Sequence, residues 1–269
     1  MSGTERIAAA FEGARQQGRA ALMPYMMGGF PDEDTAAAVA AAYAEAGADL
    51  VELGIPFSDP LADGPVIHAA ATRALEAGAT LDSALEAGAT ISDRVPVVAM
   101  AYANMVLAHG AGEFGARLDD AGFVGAIVPD LPPEESTELR AALNDRGLAL
   151  IPLVAPTTPA ARRRSICEAA QGFVYLVSDT RTTGERDELP AELADLVAAT
   201  RADSPVPVAV GFGIGTPEQA AQVGSTADGV IVGSRLVRAI EEAGDRSEAA
   251  IAVAEFIAGA RTALAASSR

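Results

Sequence analysis

Glu52 is the one charged residue in the run Leu50-Val51-Glu52-Leu53-Gly54-Ile55-Pro56. Alternation along an extended strand puts Leu50, Glu52 and Gly54 on one face. A carboxyl group drawn out of water on such a face has its pKa raised, as a general acid and base working near neutral pH requires. The competing assignment is a carboxylate paired with an arginine of a neighbouring helix. Unpaired buried carboxylates are rare outside sites, which favours chemistry. Asp63 lies downstream in Pro56-Phe57-Ser58-Asp59-Pro60-Leu61-Ala62-Asp63-Gly64-Pro65, the loop that leaves this strand. It is either a functional residue at the catalytic face or ordinary turn chemistry before Gly-Pro. Asp59, before Pro60, shapes the loop or touches a partner.

A second group of residues has the composition of a phosphate site. Gly211-Phe212-Gly213 and Gly233-Ser234 each follow a short apolar run, and the second pair opens a helical segment, Arg235 to Glu242. Glycines let backbone N–H groups approach an anion closely, and a helix N-terminus supplies further donors. Thr183-Gly184 sit in a polar loop, Ser178 to Asp187, that reads as a lid or a plain connection. Tyr25 and Phe212 offer an apolar slot for an aromatic ring or are core; Tyr175 is a further candidate, with a core role as the alternative. His68, His109, Cys167 and the helical Arg162-Arg163-Arg164 have no partners in sequence that give them a role.

The elements that must position these residues repeat. Eight runs rich in Val, Ile, Leu and Met recur about every 25 to 30 residues: Ala21 to Met27, Leu50 to Ile55, Val97 to Tyr102, Gly125 to Val128, Leu148 to Val154, Phe173 to Val177, Pro207 to Val210 and Gly229 to Val232. Between them lie Ala/Glu/Arg stretches with helical spacing, such as Asp32 to Ala46, Pro133 to Arg146 and Pro217 to Val223. Near-continuous apolar strands suit a parallel sheet buried on both faces. Eight alternations predict one closed (β/α)8 TIM barrel over residues 1–269, with extra helices at Thr4 to Gln17 and Ser247 to Ala266 that close its bottom or flank the ring. The segment Leu75 to Thr90 repeats Glu-Ala-Gly-Ala-Thr and reads as two short helices. An open doubly wound sheet is the alternative fold, but Met27-Gly28-Gly29-Phe30-Pro31 is no dinucleotide fingerprint, and the paired glycines come late, where barrels bind phosphate.

Composition narrows the chemistry. All 19 basic residues are Arg, against 37 Asp and Glu, for a net charge of −18. That field disfavours nucleic acid and anionic membranes, so a phosphate must be bound through local backbone donors. Without lysine the chain cannot form a Schiff base or hold pyridoxal phosphate covalently, and a carbon–carbon cleavage would need acid–base groups. One Cys and two His leave no disulfide and no zinc set, which fits a reducing cytoplasm. The charged start lacks a signal-peptide core, and the alanine-rich Thr35 to Ala48 falls short of a membrane span.

The stretch from Leu50 to Leu75, with Glu52-Leu53-Gly54-Ile55-Pro56-Phe57-Ser58-Asp59-Pro60 running on through Ala62-Asp63-Gly64-Pro65, closely resembles the tryptophan synthase alpha subunit family. The resemblance continues at Asn104, Val128-Pro129-Asp130-Leu131-Pro132, Tyr175, Ser178, Gly211-Phe212-Gly213-Ile214 and Gly233-Ser234, and covers essentially the whole chain. It implies retro-aldol cleavage of indole-3-glycerol phosphate to indole and glyceraldehyde 3-phosphate, with Glu52 and Asp63 as the two catalytic carboxylates. It further implies phosphate against Gly184, Gly213, Gly233 and Ser234, with Thr183 beside them, and indole near Tyr25, Tyr175 and Phe212. The expected partner is a beta subunit in an alpha2beta2 complex, met by the loop bearing Pro56 and Asp59. Pyridoxal phosphate is expected only in that partner. Two departures stand out: Arg181-Thr182 replace the usual Gly-Val before Thr183-Gly184, adding bulk and charge to the lid, and Tyr25 replaces the usual Phe. A weakly active regulatory barrel that modulates a beta-type partner, or another phosphate-binding barrel isomerase, would share some of these features.

Overall fold

A computed structural model describes residues 1–177, 193–211 and 213–267. The chain runs α1 (Gly3–Gln16), β1 (Ala21–Met27), α2 (Glu33–Ala46), β2 (Val51–Gly54), α3 (Pro65–Glu76), α4 (Leu81–Ala89) and β3 (Val97–Met100). It continues through α5 (Ala103–His109), α6 (Ala111–Asp120), β4 (Gly125–Ile127), α7 (Thr137–Asn144), β5 (Ala149–Ile151), β6 (Leu153–Val154) and α8 (Ala160–Glu168). The last third holds β7 (Val174–Val177), α9 (Leu193–Asp203), β8 (Val208–Gly211), α10 (Pro217–Gly224), β9 (Gly229–Val232), α11 (Ser234–Glu242) and α12 (Arg246–Ala266).

Every strand pairing is parallel, and the order β5-β4-β3-β2-β1-β9-β8-β7-β6 begins and ends on one stretch of chain. β5 and β6 are the two halves of the fifth predicted strand. Pro152 separates them because it has no N–H to give to the ladder, yet its carbonyl still accepts from Tyr175 N at 2.9 Å. The ring is therefore closed, with eight barrel staves as the periodicity predicts. The fifth strand is broken where a continuous one was expected.

Alternation sorts each stave into an inner and an outer face. Ala21, Met23, Leu50, Val98, Ile127, Ile151, Phe173, Ala209 and Ile231 pack together inside the barrel. α1 plugs the bottom of this layer with Ile7, Phe11 and Ala14, Phe11 meeting Phe173 at a centroid distance of 5.7 Å. The intervening residues, among them Leu22, Met26, Val51, Leu53 and Ala99, face the helices. α12 is long and apolar enough to cross a membrane by composition. Here it buries Val253, Phe256, Ile257, Ala260 and Leu264 against the barrel's outer helices. At the bottom rim Arg19, 4% exposed, is held by Asp49 through contacts of 2.6 and 2.8 Å, and Asp49 also accepts from Leu22 N.

The second crossover holds two helices as expected, but the two copies of the repeated pentapeptide are not used alike. Glu76-Ala77-Gly78-Ala79-Thr80 ends α3 at Glu76, turns at Gly78 with φ of +94°, and caps α4 through the Thr80 hydroxyl. Its second copy stays helical until Ala89, because Gly88 is the point where α4 presses on Phe123 and no β-carbon fits. α7 likewise starts later than expected, since Pro132 to Ser136 form a turn first.

Candidate active site

Inside β2, Glu52 is on the face of Leu50 and so points into the barrel, above the layer sealed by α1. It is 4% exposed, and its Oε2 has no hydrogen-bond partner. Burial among apolar walls, reinforced by the neighbouring negative charge of Asp63, raises its pKa to about 8. The competing ion pair with an arginine is absent among the described residues.

Asp63 is half-buried on the loop that leaves β2. Burial is the larger influence and raises its pKa, while a hydrogen bond from the Tyr102 hydroxyl and the field of His68 act to hold it down. The two carboxylates thus sit in unlike environments: Glu52 faces apolar wall, and Asp63 accepts a hydrogen bond from the Tyr102 hydroxyl. Two carboxylates in such different surroundings are suited to different tasks.

Tyr102 was not among the residues singled out from sequence as functional. It lies just beyond β3, is 3% exposed, and its hydroxyl both donates to Asp63 and accepts from Ala62 N at 3.1 Å. Its ring stacks on Phe57 at 5.3 Å. One side chain therefore fastens both ends of the Asp63 loop to the third stave. An aromatic residue at the C-terminal end of a barrel strand was the available signal.

Tyr25 on β1 and Tyr175 on β7 complete the walls. Burial pushes both phenols well up, and the charges of Glu52 and Asp63 add to the shift. Each ring reaches across a glycine of the next stave. A β-carbon on residue 54 would collide with the Tyr25 hydroxyl, and one on residue 211 would stand 2.5 Å from that of Tyr175. Gly54 and Gly211 are small because aromatic rings lie over them.

On the β9 side of the mouth, Gly233 is the N-cap of α11 with no side-chain cap and no acidic residue in the first turn; Ser234 behind it is 7% exposed. That uncapped, positive helix end is suited to an anion. Gly213 follows β8 at the same face. On the outer rim, Pro56 is buried within the chain, whereas Asp59 is exposed and accepts from Ser58 Oγ at 2.5 Å. Ser178, Arg181, Thr182, Thr183, Gly184 and Phe212 lie outside the described residues.

These features define a class: a (β/α)8 barrel with one buried and one half-buried carboxylate and an uncapped helix end at the C-terminal mouth of its staves, where barrel enzymes place their sites. Residues 11–266 match the family described as "Tryptophan synthase alpha chain". The tryptophan synthase alpha chain of Geobacter sulfurreducens is 44% identical over 96% of this chain and 98% of its own length, and that of a Synechococcus species 48% over 91% and 92%. Among solved structures, a Mycobacterium tuberculosis tryptophan synthase superposes with a TM-score of 0.89 at 37% identity, covering 96% of this chain and 98% of that one. The alpha chain of Legionella pneumophila gives 0.86 at 35%, covering 96% and 97%. The chain belongs to the tryptophan synthase alpha chain family.

Proposed function

We propose that this chain, as the lyase subunit of tryptophan synthase, cleaves indole-3-glycerol phosphate to indole and glyceraldehyde 3-phosphate, with Glu52 and Asp63 as its catalytic carboxylates. The observation behind this assignment is the Glu52 carboxyl itself, buried in the mouth with a pKa of about 8 and an oxygen free of any partner. Such a group is protonated at neutral pH and close enough to its pKa to work in both directions. Protonated Glu52 gives its proton to indole C3, which leaves a positive charge on the ring nitrogen. The Asp63 carboxylate, to which the Tyr102 hydroxyl donates, accepts the indole N–H hydrogen bond and stabilises that charge. Ionised Glu52 then takes the proton of the adjacent glycerol hydroxyl. The carbonyl forms as the bond from C3 to the side chain breaks, its electron pair returns to the ring, and Glu52 is protonated again.

Tyr25, Tyr175 and Phe212 would flank the indole, and Gly213, Gly233 and Ser234, with Thr183 and Gly184, would hold the phosphate. These steps call for proton transfers alone, so pyridoxal phosphate is assigned to the beta partner. We assign the docking face to the loop bearing Pro56 and Asp59 together with Leu61 and Leu107, which are 81% and 74% exposed, and expect an alpha2beta2 assembly in the cytoplasm, where the lone buried thiol of Cys167 stays reduced. Indole release from indole-3-glycerol phosphate, with and without a beta-type subunit, tests the reading. Release should fall by about 100-fold or more in Glu52→Gln and rise with the partner. Release that is unchanged by Glu52→Gln would refute it.

A further inference from the structure

The acid–base steps above leave one buried hydroxyl unused. β1 and β2 run in register with Tyr25 opposite Glu52, and both side chains are on the inner face, 5% and 4% exposed. The Tyr25 ring reaches toward the mouth until its hydroxyl lies over Gly54, two residues along the stave from Glu52. Its hydrogen-bond partner there is the Met27 thioether, at 4.0 Å, a weak acceptor. One strand away, Glu52 Oε2 is a buried acceptor without a donor. Folded interiors rarely leave a buried acceptor unmatched when a poorly matched donor lines the same cavity.

We propose that Tyr25 is a positioning residue of the acid–base site, its Oη donating a hydrogen bond to the Glu52 carboxylate once that group has given up its proton. The proposal rests on the assignment of Glu52 as acid and base. A protonated Glu52 needs no second donor, which matches the arrangement with Met27. On ionisation the carboxylate becomes an anion against an apolar wall, and a rotation of the Glu52 side chain toward the bare Gly54 brings it to the Tyr25 hydroxyl, whose hydrogen turns from sulfur to oxygen. Asp63 from the loop after β2 opposes the ionised form of Glu52, and His68 and Tyr102 act on Asp63 from α3 and the end of β3. Tyr175 faces Glu52 from β7, with its hydroxyl directed over Gly211. Of these groups, Tyr25 is the one in strand register with Glu52.

Tyr25→Phe removes one oxygen and keeps the ring. In the full chain labelled with carboxyl-13C glutamate, the Glu52 signal, identified by its loss in Glu52→Gln, should titrate about one pH unit higher in Tyr25→Phe than in the wild type. In indole release, kcat should fall about tenfold with KM nearly unchanged. An unmoved Glu52 titration overturns the proposal, and a raised KM with an unmoved titration places the hydroxyl on the substrate instead. If Glu52→Gln is inactive while Tyr25→Phe behaves as wild type, only this proposal fails. If Glu52→Gln keeps full activity, the assignment beneath it fails as well.

Discussion

Replacing Glu52 by Gln should stabilise the protein, and by an amount that grows with pH. In the folded chain the carboxyl titrates at about 8, against an ordinary value of 4.5. The folded state therefore holds a proton that the unfolded state releases throughout that interval. Stability is undiminished below the unfolded value, falls as pH rises through the interval, and levels off above the folded value. At about 1.4 kcal/mol per pH unit the full loss is roughly 5 kcal/mol, and between about pH 5 and pH 9 it is about 4 kcal/mol. Water entering the mouth around the anion would lower this to a few kcal/mol. Gln matches Glu in shape and does not titrate, so any fixed cost of burying its amide is the same at every pH. Urea unfolding of both proteins at several pH values should give a stability difference, Gln minus wild type, that rises by several kcal/mol toward alkaline pH. A difference that stays flat across that range would mean that Glu52 is not held neutral by its surroundings, and the acid–base argument would lose its physical basis.

Asp63→Asn should lower kcat for indole release by about 100-fold or more while the fold is kept, since it removes the charge that stabilises the protonated ring; steady-state kinetics and circular dichroism together check this. Tyr102→Phe loses the hydrogen bonds to Asp63 and Ala62 N, and a fall in kcat/KM of about tenfold is expected, with a smaller change in thermal midpoint. Gly54→Ala forces the Tyr25 ring aside and should cost about 1–3 kcal/mol of stability along with activity; unchanged denaturation and kinetics would show that the mouth is looser than described. Asp49→Ala removes the charge partner of the Arg19 guanidinium, whose side chain is 1% exposed and would keep only the neutral acceptors of Gln17 and Ala20, and should cost about 3 kcal/mol in denaturant melts with KM unaffected, because the pair lies at the end of the barrel opposite the site.

Much of this protein is legible in its order of residues. The spacing of apolar runs requires parallel staves with helices between them, because strands buried on both faces must be apolar almost throughout. Glu52 stands out because a carboxylate in such a run is carried out of water, as its burial in the barrel bears out. The paired glycines suggest an anion site from sequence, since a bare backbone permits close approach. Other features depend on contacts between residues far apart in the chain. Leu75-Glu76-Ala77-Gly78-Ala79-Thr80 and Leu85-Glu86-Ala87-Gly88-Ala89-Thr90 share one sequence, yet the first ends a helix and the second continues one, because Phe123 presses on Gly88 and nothing presses on Gly78. Asp63 before Gly-Pro reads equally as a turn until Tyr102, from the next stave, is seen to fasten it. The fifth stave looks continuous until ring closure shows which of its N–H groups the ladder lacks at Pro152. Local sequence sets the period of the barrel and places a carboxylate on its inner wall. Which side chains then meet across the mouth is decided by the closure of the sheet, which brings staves distant in sequence to within a hydrogen bond of each other.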